Sequence, residues 1–231
     1  MTTFYLPEVK EGVTLLSPEE SRHAIKVLRL NSGDKIQIID GKGGFYLAEI
    51  TEAHHKKTQF YIIKHTQQAL PPRYIHIAIA PTKNIDRIEW FVEKAVEIGI
   101  NEISFMLCQN SERKVLNLDR IEKKAISAMK QSMNAFMPKI NPLTAFNNSL
   151  EQISQEGKYI AYVDFDNPQQ LFDIAKENKN HCVLIGPEGD FSVQELLIAE
   201  RQGFHKVSLG KSRLRTETAG IIACHTLNII Q

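Results

Sequence analysis

The sequence has little that marks a secreted, membrane or metal-binding protein. Its cysteines are only Cys108, Cys182 and Cys224, scattered and set in apolar runs. A disulfide framework or a zinc site needs clustered thiols such as C-x-x-C, so these read as buried thiols in a reducing cytoplasm. No apolar run approaches the ~20 residues that span a bilayer. The opening residues, MTTFYLPEVKEG, lack a basic segment followed by an apolar one. A cytoplasmic protein without a membrane partner is expected. His54-His55 lies among lysines with no carboxylate or cysteine beside it, so no metal is expected either. Charge of one sign is also missing. The formal net charge is +1, so a nucleic-acid partner must meet a local patch rather than a global field.

What is present is an ordinary globular balance, 42% hydrophobic and 24% charged, which excludes disorder. Residues 1–70 read as a small β-rich unit. KIQIID (35–40) and FYLAEI (45–50) flank the turn GKGG, and TQFYIIK (58–64) adds a third strand. Ahead of them, Ser17-Pro18-Glu19-Glu20 is a helix start, with a serine cap, proline at the first position and Glu20 completing a capping box. Ala24, Val27 and Leu28 form that helix's apolar stripe, and it stops near Asn31-Ser32-Gly33. Pro71-Pro72 marks a linker, which divides the chain into residues 1–70 and 71–231.

Beyond the linker, strands and helices alternate. YIHIAIA (74–80), ISFMLC (103–108), YIAYVD (159–164), CVLIG (182–186) and KVSLG (206–210) are strands. Helices fall at 84–98, 118–133, from the capping box Ser192–Glu195 to Gly203, and at TAGIIACHTLNII. Trp90 reads as a core or dimer-interface residue. The pattern predicts an α/β domain with a mostly parallel sheet.

Ligands of such sheets gather at loops beyond the carboxyl ends of the strands. Three loops qualify: Asp164-Phe165-Asp166, Gly186-Pro187-Glu188-Gly189 and Gly210 to Gly220. Neither G-x-x-x-x-G-K-[ST] nor G-x-G-x-x-G is present, so a phosphate cradle is not expected. Alone, GPEG reads first as a tight strand–helix turn that needs glycine. In LRTETA, Thr216 or Thr218 reads as a helix cap, with Glu217 in the favoured first turn. Arg213 and Arg215 are not explained that way. The helix dipole disfavours cations at that end, so they point to an anionic partner or a bound nucleotide.

IGPEGDFSVQE (185–195) with LGKSRLRTETA (209–219) closely resembles the SPOUT-class methyltransferases that act on N3 of a uridine in 16S ribosomal RNA. HAIKVLRLNSGDKIQIIDGKGG (23–44) resembles the PUA-like RNA-binding domain of that family. KNIDRIEWFVEKAVEIGINEISFMLCQNSERK (83–114) resembles its central segment. Two departures stand out. Asp190 occupies a place where the family commonly has glycine, with a local effect expected. MKQSMNAFMPKI (129–140) keeps Gln131-Ser132 but lacks the arginine of the family's E-Q-S-x-R, so no contact of that arginine is carried over.

The resemblance implies S-adenosyl-L-methionine as methyl donor, a carboxyl-terminal trefoil knot, a homodimer, and 16S rRNA or the small ribosomal subunit as partner. A related enzyme acting on another RNA, such as tRNA, is the alternative. The cofactor would be held by Asp164, Leu184, Ile185, Gly186, Pro187, Glu188, Gly189, Leu209, Gly210, Leu214, Arg215, Thr216 and Ala219. In catalysis Arg215 would stabilise the base anion, and Glu217 or Glu188 would accept its proton, with Glu217 placed first. RNA phosphates would meet Arg22, His23, Lys26 and Arg29 in the first domain. In the second they would meet Lys83, Arg87, Arg113 and Lys114.

Overall fold

The computed structural model describes residues 1–163, 169–175 and 179–230. By contacts the chain divides into two compact units, residues 1–70 with 126–137 and residues 71–125 with 138–231. The first unit is a four-stranded sheet in the order β1 (Thr3–Tyr5), β2 (Lys35–Ile39), β3 (Gly44–Glu52), β4 (Gln59–Gln67). β2 and β3 form the expected antiparallel hairpin, and Gly41 and Gly43 of its turn adopt φ of +76° and +94°. Strand β3 alternates buried and half-buried residues, as a strand with one face on a core must. β1, at the sheet edge and parallel to β2, is too short to carry a periodic signal.

The helix before β2 departs from the sequence reading in two respects. Ser17 caps α1 (Pro18–Arg22) by accepting from Glu20 N. The Glu20 carboxylate does not return to the cap; it pairs with Lys130 at 2.7 Å. The winding then changes over His23–Val27 to i→i+5 spacing, with Leu28 N donating to His23 O. This inserts a residue into the turn and rotates everything after it. Ala24 stays buried, but Val27 is 67% exposed and Leu28 36%, so the expected stripe is not the packed face. Ile25 and Leu30 pack on the core instead. Arg29, at φ +57°, ends the helix, and Leu30 N donates back to Ala24 O.

The second unit holds a six-stranded sheet whose pairings are all parallel among the described residues. Its order is β10 (His205–Val207), β8 (Gly157–Ala161), β9 (Asn180–Ile185), β5 (Tyr74–Ile79), β6 (Glu102–Leu107), β7 (Lys139–Ala145). β5, β6 and β9 are buried almost throughout, as strands covered on both faces must be. On one face lie α4 (Phe146–Glu151) and α6 (Val193–Arg201), around Phe146, Leu150, Leu184 and Leu196. On the other, α2 (Ile85–Ile98) packs against α7 (Thr216–Ile229). β7 and α4 carry no clear apolar period, and sequence reading passed over both. α3 (Leu118–Ser132) follows β6 in sequence, with its residues from Ile126 onward belonging to the first unit, and α5 (Leu171–Ile174) precedes β9. The three cysteines are buried and free; burial pushes the Cys224 thiol up to about 12. Trp90 is 45% exposed and so is not a core residue of this unit.

At the amino ends of the strands, His76 is buried with Nε2 2.7 Å from Ser104 Oγ. Burial holds its imidazole below its ordinary value, and Glu102 opposes that shift only in part. In the unfolded chain the ring takes up a proton near pH 6.5, while the folded protein resists. His76 therefore contributes stability above that pH that is lost as pH falls through the folded value. Chemical denaturation between pH 7.5 and 5 is expected to show a falling unfolding free energy, and His76→Gln is expected to flatten the slope.

Candidate active site

The carboxyl ends of β8, β9 and β10 open onto a cavity of about 690 Å³. Its walls begin at Ala161, Ile185 and Val207, continue through residues 186–188, Asp190 and residues 208–215, and end on the first turn of α7. Arg87, in the first turn of the helix that follows β5, closes one side. A volume of this size suits a nucleotide-sized ligand.

The walls are held by bonds between loops. Thr216 does not cap α7; Arg215 occupies the cap position without a side-chain bond. Thr216 Oγ1 instead donates to Gly186 O at 3.0 Å, which ties the loop after β9 to the start of the last helix. Glu188 Oε1 accepts from Lys83 N at 3.0 Å. Asn110 Nδ2 donates to Gly189 O and Asp190 O, both at 3.1 Å. A Cβ on Gly189 would lie 3.0 Å from Asn110 Cβ, so this glycine is required by close approach. The full capping box at Ser192 and Glu195 starts α6, and Glu195 Oε1 also accepts from Gln109 N. Four strand-end loops are thus stitched together by named polar groups.

Of the residues expected around a cofactor, Ile185, Gly186, Pro187, Glu188, Leu209, Gly210, Leu214, Arg215, Thr216 and Ala219 line the cavity. Leu184 does not. Successive strand side chains point to opposite faces, and Leu184 is fully buried in the core beside Phe191 and Leu196. Gly189 stands outside the lining, engaged with Asn110. Asp164 lies outside the described residues.

Glu217 is buried and is not part of the cavity lining. Its Oε1 lies 3.8 Å from Arg87 Nε, and its Oε2 is buried without a hydrogen-bond partner among the described residues. Arg87, which lines the cavity, is thus the lining residue beside Glu217. From residue order alone Arg87 is expected only among the RNA contacts. The available signal was its place in the first turn of the helix after a central strand, at the same sheet edge as the glycine loops. Arg213 and Asp190 also line the cavity.

The basic residues separate by what they touch. Arg22, Lys26 and Arg29 are exposed, as are Lys83 and Lys114. His23 is exposed with its ring edge-on to Phe4. Lys83 pairs with Glu112 at 2.8 Å. Arg113 is committed to the chain itself: its Nε donates to Thr82 O at 2.9 Å and a terminal nitrogen donates to Lys83 O. Its packing role is to hold the loop after β5; its own turn, after β6, is fixed by Ser111 Oγ accepting from Cys108 N.

Removing the link between the two glycine-loop walls has a measurable cost. Thr216→Val keeps the volume but leaves the Gly186 carbonyl without its donor. It is expected to lower stability by about 1 kcal/mol, whereas Thr216→Ser should stay near wild type; urea denaturation of both variants checks it.

Fold and cavity together define an α/β protein with a nucleotide-sized cavity at the carboxyl edge of a parallel sheet. Comparison with known proteins narrows this. Residues 69–228 match the model of an RNA methyltransferase domain, and residues 16–60 match that of an RNA methyltransferase PUA domain. The ribosomal RNA small subunit methyltransferase E of Mesomycoplasma hyopneumoniae is 30% identical over 226 residues, covering 96% of each chain. A crystal structure described as a probable rRNA-methyltransferase from Porphyromonas gingivalis is 40% identical, with a TM-score of 0.90, covering 99% of this chain and 98% of that one. The ribosomal RNA small subunit methyltransferase E of Neisseria gonorrhoeae, solved bound to S-adenosyl methionine, is 28% identical with a TM-score of 0.85, covering 97% and 95%. The chain belongs to the RNA methyltransferase family, with a PUA-type amino-terminal domain. Among the described residues no helix is long and apolar enough to cross a membrane, and no group of His, Cys, Asp or Glu residues is arranged to hold a metal ion.

Proposed function

We propose that this protein methylates N3 of a uridine in 16S rRNA of the small ribosomal subunit, with S-adenosylmethionine as donor. The observation that carries the reading is the cavity at the carboxyl ends of β8, β9 and β10, closed by the Thr216–Gly186 bond and edged by arginines. Nearly the full length of the chain matches small-subunit RNA methyltransferases, which favours 16S rRNA over tRNA.

The residues present fit that donor. Ile185, Leu209 and Leu214 supply apolar wall for a purine, and the backbone of 186–188 and 209–210 supplies polar groups for its edge. Arg87, Lys211 and Arg213 supply cations for a single carboxylate. When bound, the cofactor supplies an activated methyl group on a sulfonium.

The protein's task is then to orient the base, take the N3 proton and hold the negative charge left on N3 and its flanking oxygens. Arg215, with its fork of donors at the cavity rim, stabilises the anion. Glu188 is the better supported proton acceptor, because it lines the cavity while Glu217 lies outside the lining and approaches Arg87. Glu217 acts as a positioning residue for Arg87. RNA affinity comes from exposed Arg22, His23, Lys26 and Arg29 of the first unit and from Lys83 and Lys114 of the second. Arg113, bonded to backbone, contributes only by shaping the loop that presents Lys83.

The protein works in the cytoplasm as a homodimer, for which the exposed Trp90 on α2 and Ile222 and Ile229 on α7 are the candidate apolar surface. A carboxyl-terminal trefoil knot belongs to the same reading. It is supported by the return of the chain from the edge strand β10 to α7, which packs on the central β5. The decisive experiment incubates small subunits from a strain lacking the gene with the protein and S-adenosylmethionine. Nucleoside mass spectrometry should then show one new N3-methyluridine in 16S rRNA; methylation of tRNA alone would replace the target.

A further inference from the structure

The sheet-end loop after β9 places a non-glycine residue in the left-handed region of the backbone. Asp190 has φ +61°, a left-handed conformation that glycine adopts freely and that costs other L-residues about 1–2 kcal/mol. Aspartate tolerates it because its short side chain bonds locally, and here Asp190 Oδ1 accepts from Phe191 N at 2.8 Å. That bond pins one carboxylate oxygen. The other, Oδ2, has no hydrogen-bond partner among the described residues, and Asp190 lines the cavity. Strained residues of this kind gather at ligand sites.

The charges around the cavity give this carboxylate its meaning. Arg87, Lys211, Arg213 and Arg215 line it as cations; Glu188 and Asp190 are the lining carboxylates among the described residues. Glu188 is exposed and already accepts from Lys83 N. Asp190 is only partly exposed. Burial raises its carboxyl above the ordinary value, while its own bond from Phe191 N and the charge of Arg213 oppose this. A cation-rimmed cavity repels a ligand bearing a fixed positive charge unless a carboxylate within it compensates. The methyl donor carries such a charge on sulfur; its demethylated product is a neutral thioether.

We propose that Asp190 is a specificity-determining residue, whose free Oδ2 faces the positive centre of the methyl donor and favours it over the neutral product. Release of product is thereby eased at the same site that holds the donor. The proposal rests on the cofactor reading given above and adds to it a residue that discriminates between the two ends of the reaction.

The test is calorimetric titration of the whole protein with S-adenosylmethionine, S-adenosylhomocysteine and sinefungin, whose amine carries a positive charge beside the place of the sulfonium. Asp190→Asn is expected to weaken the two cationic ligands about five- to tenfold and the thioether less than twofold. Asp190→Gly, whose backbone suits φ +61°, should give the same pattern and melt no lower than wild type. Equal losses for all three ligands, or no loss for either variant, overturn the proposal. If the wild-type protein binds none of the three, the cofactor reading fails and the role of Asp190 with it. If it binds all three but shows no charge dependence on Asp190, the cofactor reading stands and the Asp190 role falls alone.

Discussion

Arg215→Ala is expected to lower the rate of methyl transfer to 16S rRNA about a hundred- to a thousandfold, while the affinity for S-adenosylmethionine changes only a few-fold. Arg215 stands at the cap position of α7 with an exposed side chain at the cavity rim, and the structure gives it no ion-pair partner among the described residues. It is spared for a ligand. A helix N-terminus presents partial positive charge, so an arginine there is costly unless an anion arrives. In the proposed reaction that anion forms only as the N3 proton leaves, which places the loss in kcat rather than in binding. Arg215→Lys keeps the charge without the planar fork and should recover only part of the rate. Single-turnover kinetics with tritiated donor and calorimetry on the same variants separate the two effects. Unchanged turnover in Arg215→Ala would remove this residue from the chemistry.

The second large effect is on stability. Phe91→Ala is expected to cost about 3–5 kcal/mol, read from urea denaturation. Phe91 is fully buried on α2, and its ring sits against α7 so closely that a Cβ on Gly220 would lie 2.6 Å from Phe91 Cε2. Ile79 of the central strand closes the same gap, 3.2 Å from that point. Gly220 has no unusual φ; it is small because a ring needs the space. Gly220→Ala alone therefore overpacks the junction, at about 1–3 kcal/mol. Combined with Phe91→Ala, the added methyl enters the cavity left by the ring. The double variant should be more stable than the sum of the two losses allows. Strict additivity would show that the two residues do not share this space. Because Arg215, Thr216 and Glu217 open the same helix, the single variants should also loosen the cavity wall and weaken cofactor binding.

Much of this protein was legible from residue order. Alternation in residues 35–50 around Gly41 and Gly43 set the hairpin, because a half-buried strand and a turn needing positive φ leave local marks. The apolar runs of β5, β6 and β9 set a sheet covered on both faces. Ser192 and Glu195 set the start of α6, because a capping box closes within four residues. Two arginines at the start of α7 marked the site, since they contradict the helix dipole.

What residue order left open depends on partners distant along the chain. Glu20 had the sequence of a capping residue, but Lys130, far along the chain, took its carboxylate. Val27 and Leu28 had helical spacing, but the i→i+5 turn at His23 rotated them outward. Thr216 had the chemistry of a cap and was spent instead on Gly186, 30 positions earlier. Arg87 and Arg113 looked alike as surface cations; Glu217 and the carbonyls of Thr82 and Lys83 separated them. The sequence by itself determined the longer strands and helices and singled out the glycine loops, because these follow from local backbone preference and one-face burial. Only the tertiary structure decided which side chains face the cavity and which hold its walls. That choice is made by hydrogen bonds and contacts between loops that are distant in sequence and that the sheet brings together.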